Sequence, residues 1–345
     1  MSYYLSFYIF TMMNGVLYHF YRHKIFLLTI VCGAILFSGF RYDAGNDFFS
    51  YYAMLVGEKF YGNLEFFSYS LIEFARYLDQ PYVFYFITSL IYMLAMIYGL
   101  YKLNALGFSS LILLLLFAAS WLTSFGYIRQ FVAISFVFLA TAFLIKGKDI
   151  KFLFFAVIGF LFHKSAIIAG LIYFYYKFFG KKEHSLQVYF VIYLFFYFLF
   201  VYIVFFITSY IGLYHHYIDQ PRNAFGFGIF LVITFLFIIQ TFLAKLVKCK
   251  DPKFWISNNL FFLGVVIYAS LLAFGEYVVR VAYYLVPFVY VSTYFLLKKT
   301  TGFLQFFYFC FILLVSTFTY FYTLNLASTN PTRDFLTNYI PYFLH

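Results

Sequence analysis

Charge is what this 345-residue chain has least of, and acid is scarcer than base. Charged residues make up 10% of it against 65% hydrophobic, with 12 Asp and Glu against 23 Lys and Arg. A soluble protein of this length could not cover so much apolar surface, so a soluble fold is excluded and a polytopic membrane protein is indicated. No stretch is polar enough to stand as a separate soluble domain, which predicts a single integral-membrane domain over residues 1–345. Cysteine is nearly absent. Cys32 and Cys310 lie inside apolar runs and Cys249 in a lysine-rich connection, which excludes a disulfide framework. No Cys/His metal spacing occurs, and no internal repeat is strong enough to support an inverted-repeat transporter. The first apolar run, Tyr3 to Phe20, follows no positively charged leader and has no small-residue cleavage site, so it reads as a retained helix.

What the chain does have is aromatic apolar runs, with 57 Phe and 38 Tyr. Lipid-facing bulk and interfacial belts explain most of these rings better than sugar stacking does. The hydropathy pattern predicts an all-α integral membrane protein, a polytopic helical bundle of about 12 transmembrane helices. The spans fall near 3–20, 24–40, 82–101, 108–124, 127–145, 151–162, 165–179, 187–208, 226–246, 258–274, 278–297 and 302–324. The stretch 150–179 is too long for one span and holds His163 and Lys164 in its middle. A single tilted helix would strand that Lys in lipid at about 2.5–3.5 kcal/mol, so the stretch is split into two short helices.

The split separates the charges by side. Fifteen Lys and Arg and three acids then share one set of connections, net +12, against −1 for the other set. That bias makes the lysine-rich set cytoplasmic and puts both termini outside. The net charge of +11 is therefore an orientation signal and not a nucleic-acid footprint. The arginines break the pattern. Only Arg22 falls on the lysine-rich side, while Arg41, Arg76, Arg129, Arg222, Arg280 and Arg333 fall on the other. Arginine grips phosphate and carboxylate bidentately, so an anion-handling site on the external face is expected. That face also carries the two longest connections, an external loop at about 41–81 after the second helix and another at about 209–225.

Four clusters stand out. In Gly39–Tyr52, Gly45 permits a tight turn and Asp43 and Asp47 are placed to converge on Arg41, one carboxylate serving as general base beside an anion-binding Arg. Arg129 and Gln130 open a helix. An Arg there opposes the helix dipole unless it joins the terminal amides in holding a phosphate. At His163-Lys164-Ser165, Ser165 is the expected cap of the second short helix and His163 a proton carrier. Glu276 and Arg280, four apart, share a helix face, with Pro287 placed to kink the helix below. Arg222, Arg333 and the adjacent His215 and His216 are weaker candidates. A metal site from Asp43, Asn46 and Asp47 lacks EF-hand spacing, and no metal or cofactor is expected.

The order Arg41…Gly45-Asn46-Asp47…Tyr51, Ile128-Arg129-Gln130, His163-Lys164-Ser165-Ala166, Arg280…Tyr283-Tyr284 and Ile340-Pro341-Tyr342 resembles the EpsG family. These are Wzy-like polymerases of bacterial exopolysaccharide, capsule and O-antigen. The resemblance runs from about residue 40 to 342. It implies a GT-C-like, metal-independent glycosyltransferase on the external face of the cytoplasmic membrane. Such an enzyme moves a growing glycan from undecaprenyl pyrophosphate to the non-reducing end of another lipid-linked repeat unit. The partners implied are that lipid-linked oligosaccharide, the bilayer, a flippase and a chain-length regulator. Arg41, Arg129 and Arg280, with Gln130 and Lys164, become the pyrophosphate-binding residues. Asp47, then His163, then Glu276 become the catalytic base candidates. Asp43, Tyr51, Arg222, Tyr284 and Arg333 are further substrate-binding candidates. The competing readings are a flippase of lipid-linked oligosaccharide, an O-antigen ligase and a membrane acyltransferase. The flippase is disfavoured because the interior of the cytoplasmic half reads apolar.

Overall fold

Apolar runs become helices here because a backbone removed from water must satisfy its own hydrogen bonds. The computed structural model describes residues 1–59, 62, 64–117, 119–210, 226–329 and 336–344, with the side chains of 207–210, 276, 277 and 337 outside that description. Six helices are long and apolar enough to cross a membrane: α5 (Pro81–Leu103), α7 (Ile128–Ile145), α10 (Leu186–Tyr210), α11 (Phe227–Leu246), α12 (Pro252–Leu271) and α14 (Gly302–Thr329). The remaining expected spans are shorter or more polar. Helix α1 (Ser2–Tyr21) has the length but not the apolarity, and α2 (Ile25–Gly39) has the apolarity but only 15 residues.

Two expected spans are broken. The run 108–124 forms only α6 (Phe108–Leu116), after which Phe117 turns extended and a 3-10 turn follows at Thr123–Phe125. Ser and Thr there compete for backbone groups, as when Ser124 Oγ donates to Trp121 O at 2.5 Å. The run 278–297 is one helical turn, Glu276–Val279, then 3-10 helix Arg280–Tyr284, then α13 (Phe288–Lys299). Pro287 cannot donate the bond that would continue the first segment into the second. Glu276 and Arg280 therefore share no continuous α-helical face.

The chain divides into two compact units, Met1–Ala169 with Phe306–His345, and Gly170–Gln305. In the first, α7 is central, packed on α5 and on α8 (Asp149–Phe162), and beyond Arg129 and Gln130 in its first turn it is apolar nearly all round and buried accordingly. The connection expected at 41–81 is not an open loop. It holds β1 (Arg41–Tyr42), α3 (Phe48–Leu55) and α4 (Phe66–Tyr77). Helix α4 buries Ser68, Ile72 and Ala75 at helical spacing and leaves Glu73 and Arg76 paired on its outer face. Strand β1 pairs antiparallel with β2 (Ile340–Pro341), Arg41 opposite Pro341 and Tyr42 opposite Ile340. The expected split at His163 is present: α8 ends at Phe162, and a 3-10 turn Lys164–Ile167 leads into α9 (Ile168–Phe178).

In the second unit α12 is central, packed on α10, α11 and α13. Its start is capped by Asp251, which accepts the Lys253 N–H at 2.9 Å, with Pro252 in the first turn. The lysine-rich ends of these helices are not apolar inside, contrary to the sequence reading. Gln240 Nε2 donates to Thr293 at 2.7 Å, Ser292 donates to Gln240 at 2.7 Å, and Asn258 donates to Thr241 at 3.0 Å. Tyr189 donates to Asn259 at 2.6 Å. These groups are uncharged and come as short pairs, Gln240-Thr241, Asn258-Asn259 and Ser292-Thr293, among apolar neighbours, so hydropathy averaged over a window hides them.

Candidate functional site

The turn Gly45-Asn46-Asp47 fixes the site. Gly45 has φ of 103°, and a Cβ there would lie 2.0 Å from the Phe125 carbonyl oxygen, so only glycine fits. This close approach seats the turn on Phe125-Gly126, just ahead of α7. The Phe48 N–H closes the turn on Gly45 O at 2.9 Å, and Asp47 takes the N-cap position just ahead of α3. Beneath lies an apolar cluster of Phe48, Tyr51, Leu55, Ile72, Ala75, Phe84, Tyr85 and Ile128, which joins α3, α4, α5 and α7.

Arg41 is 2% exposed. Its Nε donates to Ala44 O at 3.2 Å, and its Nη1 donates to Ser38 O and to Ser89 Oγ. Its guanidinium lies over the rings of Phe125 (4.8 Å) and Tyr85 (5.1 Å). Burial pushes this group down to about 10, against the pull of Tyr85, Tyr4, Tyr339 and Asp47 in the other direction. The expected convergence on Arg41 is therefore partial. Asp47 acts on it through its field, whereas Asp43, in a left-handed conformation with φ of 50°, bonds the Asn338 side chain.

Arg129 sits in the first turn of α7 and is the centre of the charged groups. Its Nε donates to the Tyr51 hydroxyl, and its Nη1 lies 2.5 Å from Glu65 Oε2. Glu65 Oε1 accepts the Lys164 N–H at 3.1 Å. The Glu65 side chain is 9% exposed and that of Arg129 25%. Asp47 adds its charge to Arg129 as it does to Arg41. Burial raises the Tyr51 hydroxyl, and Arg129 opposes that rise. The arginine that opposes its helix dipole thus has a carboxylate partner. Glu65 was missed in the sequence because it is one of nine charged residues in 41–81, and nothing local marks it as the one aimed at α7.

The α8–α9 junction is tied to α4, since Ser68 Oγ donates to Phe162 O at 2.9 Å. The cap here is His163 and not Ser165: His163 Nδ1 accepts the Ser165 N–H at 3.3 Å and lies 2.6 Å from Ser165 Oγ. A backbone amide can only donate, so Nδ1 carries no proton and neutral His163 holds its proton on Nε2. Lys164 is exposed, and Gln130 is buried beside Arg129.

The first unit thus gathers Arg41, Asp47, Tyr51, Arg129, Gln130, His163 and Lys164, with Asp43 at the edge. Arg280 and the buried Tyr284 belong to the second unit. Arg222, Arg333, His215 and His216 lie outside the described residues, as does the side chain of Glu276. Among the described residues no three His, Cys, Asp or Glu side chains come together as a metal-binding group. No curated protein and no solved structure matches the chain. A family model described as the EpsG family matches residues 24–344, and the chain belongs to that family of polysaccharide-polymerase-type, multi-pass membrane proteins.

Proposed function

We propose that the protein polymerises a polysaccharide at the external face of the bacterial cytoplasmic membrane. It transfers a growing glycan from undecaprenyl pyrophosphate to the non-reducing end of another lipid-linked repeat unit. The acceptor hydroxyl oxygen forms the new bond to the anomeric carbon. The bond from that carbon to the pyrophosphate oxygen breaks, and the lipid pyrophosphate leaves with the electron pair. The acceptor proton passes to a carboxylate, for which Asp47 is the choice.

The observation that carries this reading is the gathering of Asp47, Glu65, Arg129 and the Lys164 amide from four separate segments around one half-buried guanidinium. A guanidinium held in place before reaction is suited to the negative charge that develops on a leaving pyrophosphate. In this proposal Glu65 holds Arg129 until a phosphate oxygen takes its place, and Lys164 and Gln130 add donors. His163, with its proton on Nε2, serves as a donor to phosphate before it serves as a base. Arg280 rests on motif order alone and is proposed as a pyrophosphate ligand on that ground.

The test is reconstitution of purified protein with synthetic undecaprenyl-pyrophosphate repeat unit from the same gene cluster, without nucleotide sugar or added metal. An oligomer ladder that survives a chelator and is lost in Arg129→Ala and Asp47→Asn is the expected result. No ladder, with movement of intact lipid across a liposome bilayer, would overturn it in favour of a flippase.

A further inference from the structure

Four tyrosines from four elements meet at the edge of this site. Tyr42 comes from β1, Tyr52 from α3, Tyr82 from the first turn of α5, and Tyr342 from the residue after β2. The Tyr42 ring stands nearly perpendicular to Tyr52, with centroids 6.1 Å apart, and 6.2 Å from Tyr342. Tyr342 lies 5.1 Å from Tyr82. All four are half-buried. Phenylalanines hold them in place: buried Phe48 stacks on Tyr52 at 6.0 Å and meets Tyr42 edge-on at 5.2 Å, and Phe40 lies 6.0 Å from Tyr82. Backbone bonds fix Tyr342, whose N–H donates to Phe40 O at 2.7 Å.

We propose that Tyr42, Tyr52, Tyr82 and Tyr342 form a sugar-binding platform, with Asp43 at its side, that takes the uncharged glycan portion of the lipid-linked substrate; this rests on the polymerase reading.

An interfacial belt tyrosine works alone, its ring among acyl chains and its hydroxyl toward water. These four rings instead pack against one another. Their hydroxyls are near enough to perturb each other: burial first, then Tyr52, Tyr82 and Tyr42, raise Tyr342. Burial, then Tyr52 and Asp43, raise Tyr42. Rigid amphipathic rings give contact area at small entropic cost, and the C–H face of a pyranose packs on such rings while its hydroxyls meet phenols and a carboxylate. Asp43 Oδ1 is buried and has no hydrogen-bond partner among the described residues, so a sugar hydroxyl that reached it would supply the bond it lacks. The charge excludes a phosphate. The four phenols bring no cation, Asp43 brings a negative charge, and the nearby Arg41 donates inward to carbonyls and Ser89. Tyr52 and Asp47 are carried by the same α3 segment, which sets a bound sugar beside the proposed base.

The test uses the full chain in lipid nanodiscs and, as probe, lipid-free and phosphate-free oligosaccharide of one and two repeat units, released from the polysaccharide of the same gene cluster. Binding is read by saturation-transfer NMR. Tyr82→Ala and Tyr342→Ala are expected to weaken it about five- to ten-fold, from the loss of one aromatic contact each. Tyr77→Ala, a tyrosine 88% exposed on α4, should leave it unchanged. In the reconstituted reaction the same two variants should raise KM for the lipid-linked unit with kcat nearly kept. Where Tyr342→Ala fails to fold, Tyr82→Ala carries the test. Equal binding by wild type and Tyr82→Ala, or none by wild type, overturns the platform. Fragment binding that depends on the tyrosines without an oligomer ladder supports the platform and sinks the polymerase reading. A ladder with unchanged KM in the tyrosine variants does the reverse.

Discussion

Glu65 holds Arg129 with one carboxylate oxygen, at 2.5 Å, and the Lys164 amide with the other, at 3.1 Å. One side chain thus links the start of α7 to the α8–α9 junction. Removing either partner strands a largely buried charge. Since Arg129 keeps some water contact, Glu65→Ala and Arg129→Ala should each lower stability by about 1–3 kcal/mol. The double variant should recover part of that loss, because neither charge is then stranded. Activity should behave differently, with the double variant as dead as Arg129→Ala alone. Thermal unfolding of the four proteins in detergent, beside the oligomer ladder, checks both. Equal stability losses that simply add would remove the coupling. Arg129→Lys should not rescue, because an ammonium cannot keep both the Tyr51 and the Glu65 contacts.

Arg41 is set differently, and its variants should separate from those of Arg129. All its described contacts are internal, to carbonyls, to Ser89 and to two aromatic faces. Arg41→Ala leaves the Ser38 and Ala44 carbonyls without this donor and opens a cavity between Tyr85 and Phe125. The expected outcome is low yield and a lowered Tm, with near-normal KM in whatever folds. A normal Tm with a raised KM would instead make Arg41 a substrate ligand. Gly45→Ala should match Arg41→Ala in direction, since it adds a left-handed penalty of about 1–2 kcal/mol to a clash with Phe125 O.

Asp43 gives a pH dependence. Burial raises its carboxyl above the ordinary value, and the Asn338 bond only partly offsets this. A carboxyl raised in the folded state favours folding below its unfolded value, and that contribution is lost as pH rises through the folded value. The wild type should therefore lose stability relative to Asp43→Asn as pH climbs from about 4 through the mildly acidic range. Tm against pH for the two proteins reads this directly. Parallel curves would remove Asp43 as the cause.

How much of this was legible in the sequence depends on the range of the signal. Long apolar runs such as Pro81–Leu103 and Pro252–Leu271 were, because composition alone decides their state. The break at His163 was, because a buried Lys is costly in lipid. The break at Phe117 was not, since a hydropathy window averages over the Ser and Thr that end a helix, and Pro287 was legible as a kink but not as the end of a 3-10 segment. Arg129 was legible as an Arg in the wrong place on a helix. Its partner Glu65 was not, because their pairing depends on α4 packing against α5 and α8, which brings its N-cap to the start of α7 across 64 residues. The Ser165 cap was misread for a smaller reason: His163, two residues earlier, offers its own ring nitrogen to the same amide.

That ring nitrogen supplies the last prediction. With Nδ1 accepting from the Ser165 amide, His163 does two jobs that its two nitrogens divide. Nδ1 caps the turn before α9, and Nε2–H is the donor. An asparagine places its carbonyl oxygen near the position of Nδ1, whereas a glutamine places its amide near that of Nε2. His163→Asn should therefore keep the cap and the wild-type Tm while losing most of the polymerase activity. His163→Gln should lose the cap, with a Tm drop corresponding to about 0.5–2 kcal/mol, and retain more activity than the Asn variant. Tm and initial rates on the same preparations decide it. If His163→Asn polymerises normally, the histidine is a cap and nothing more, and the donor role falls to Lys164 and Gln130.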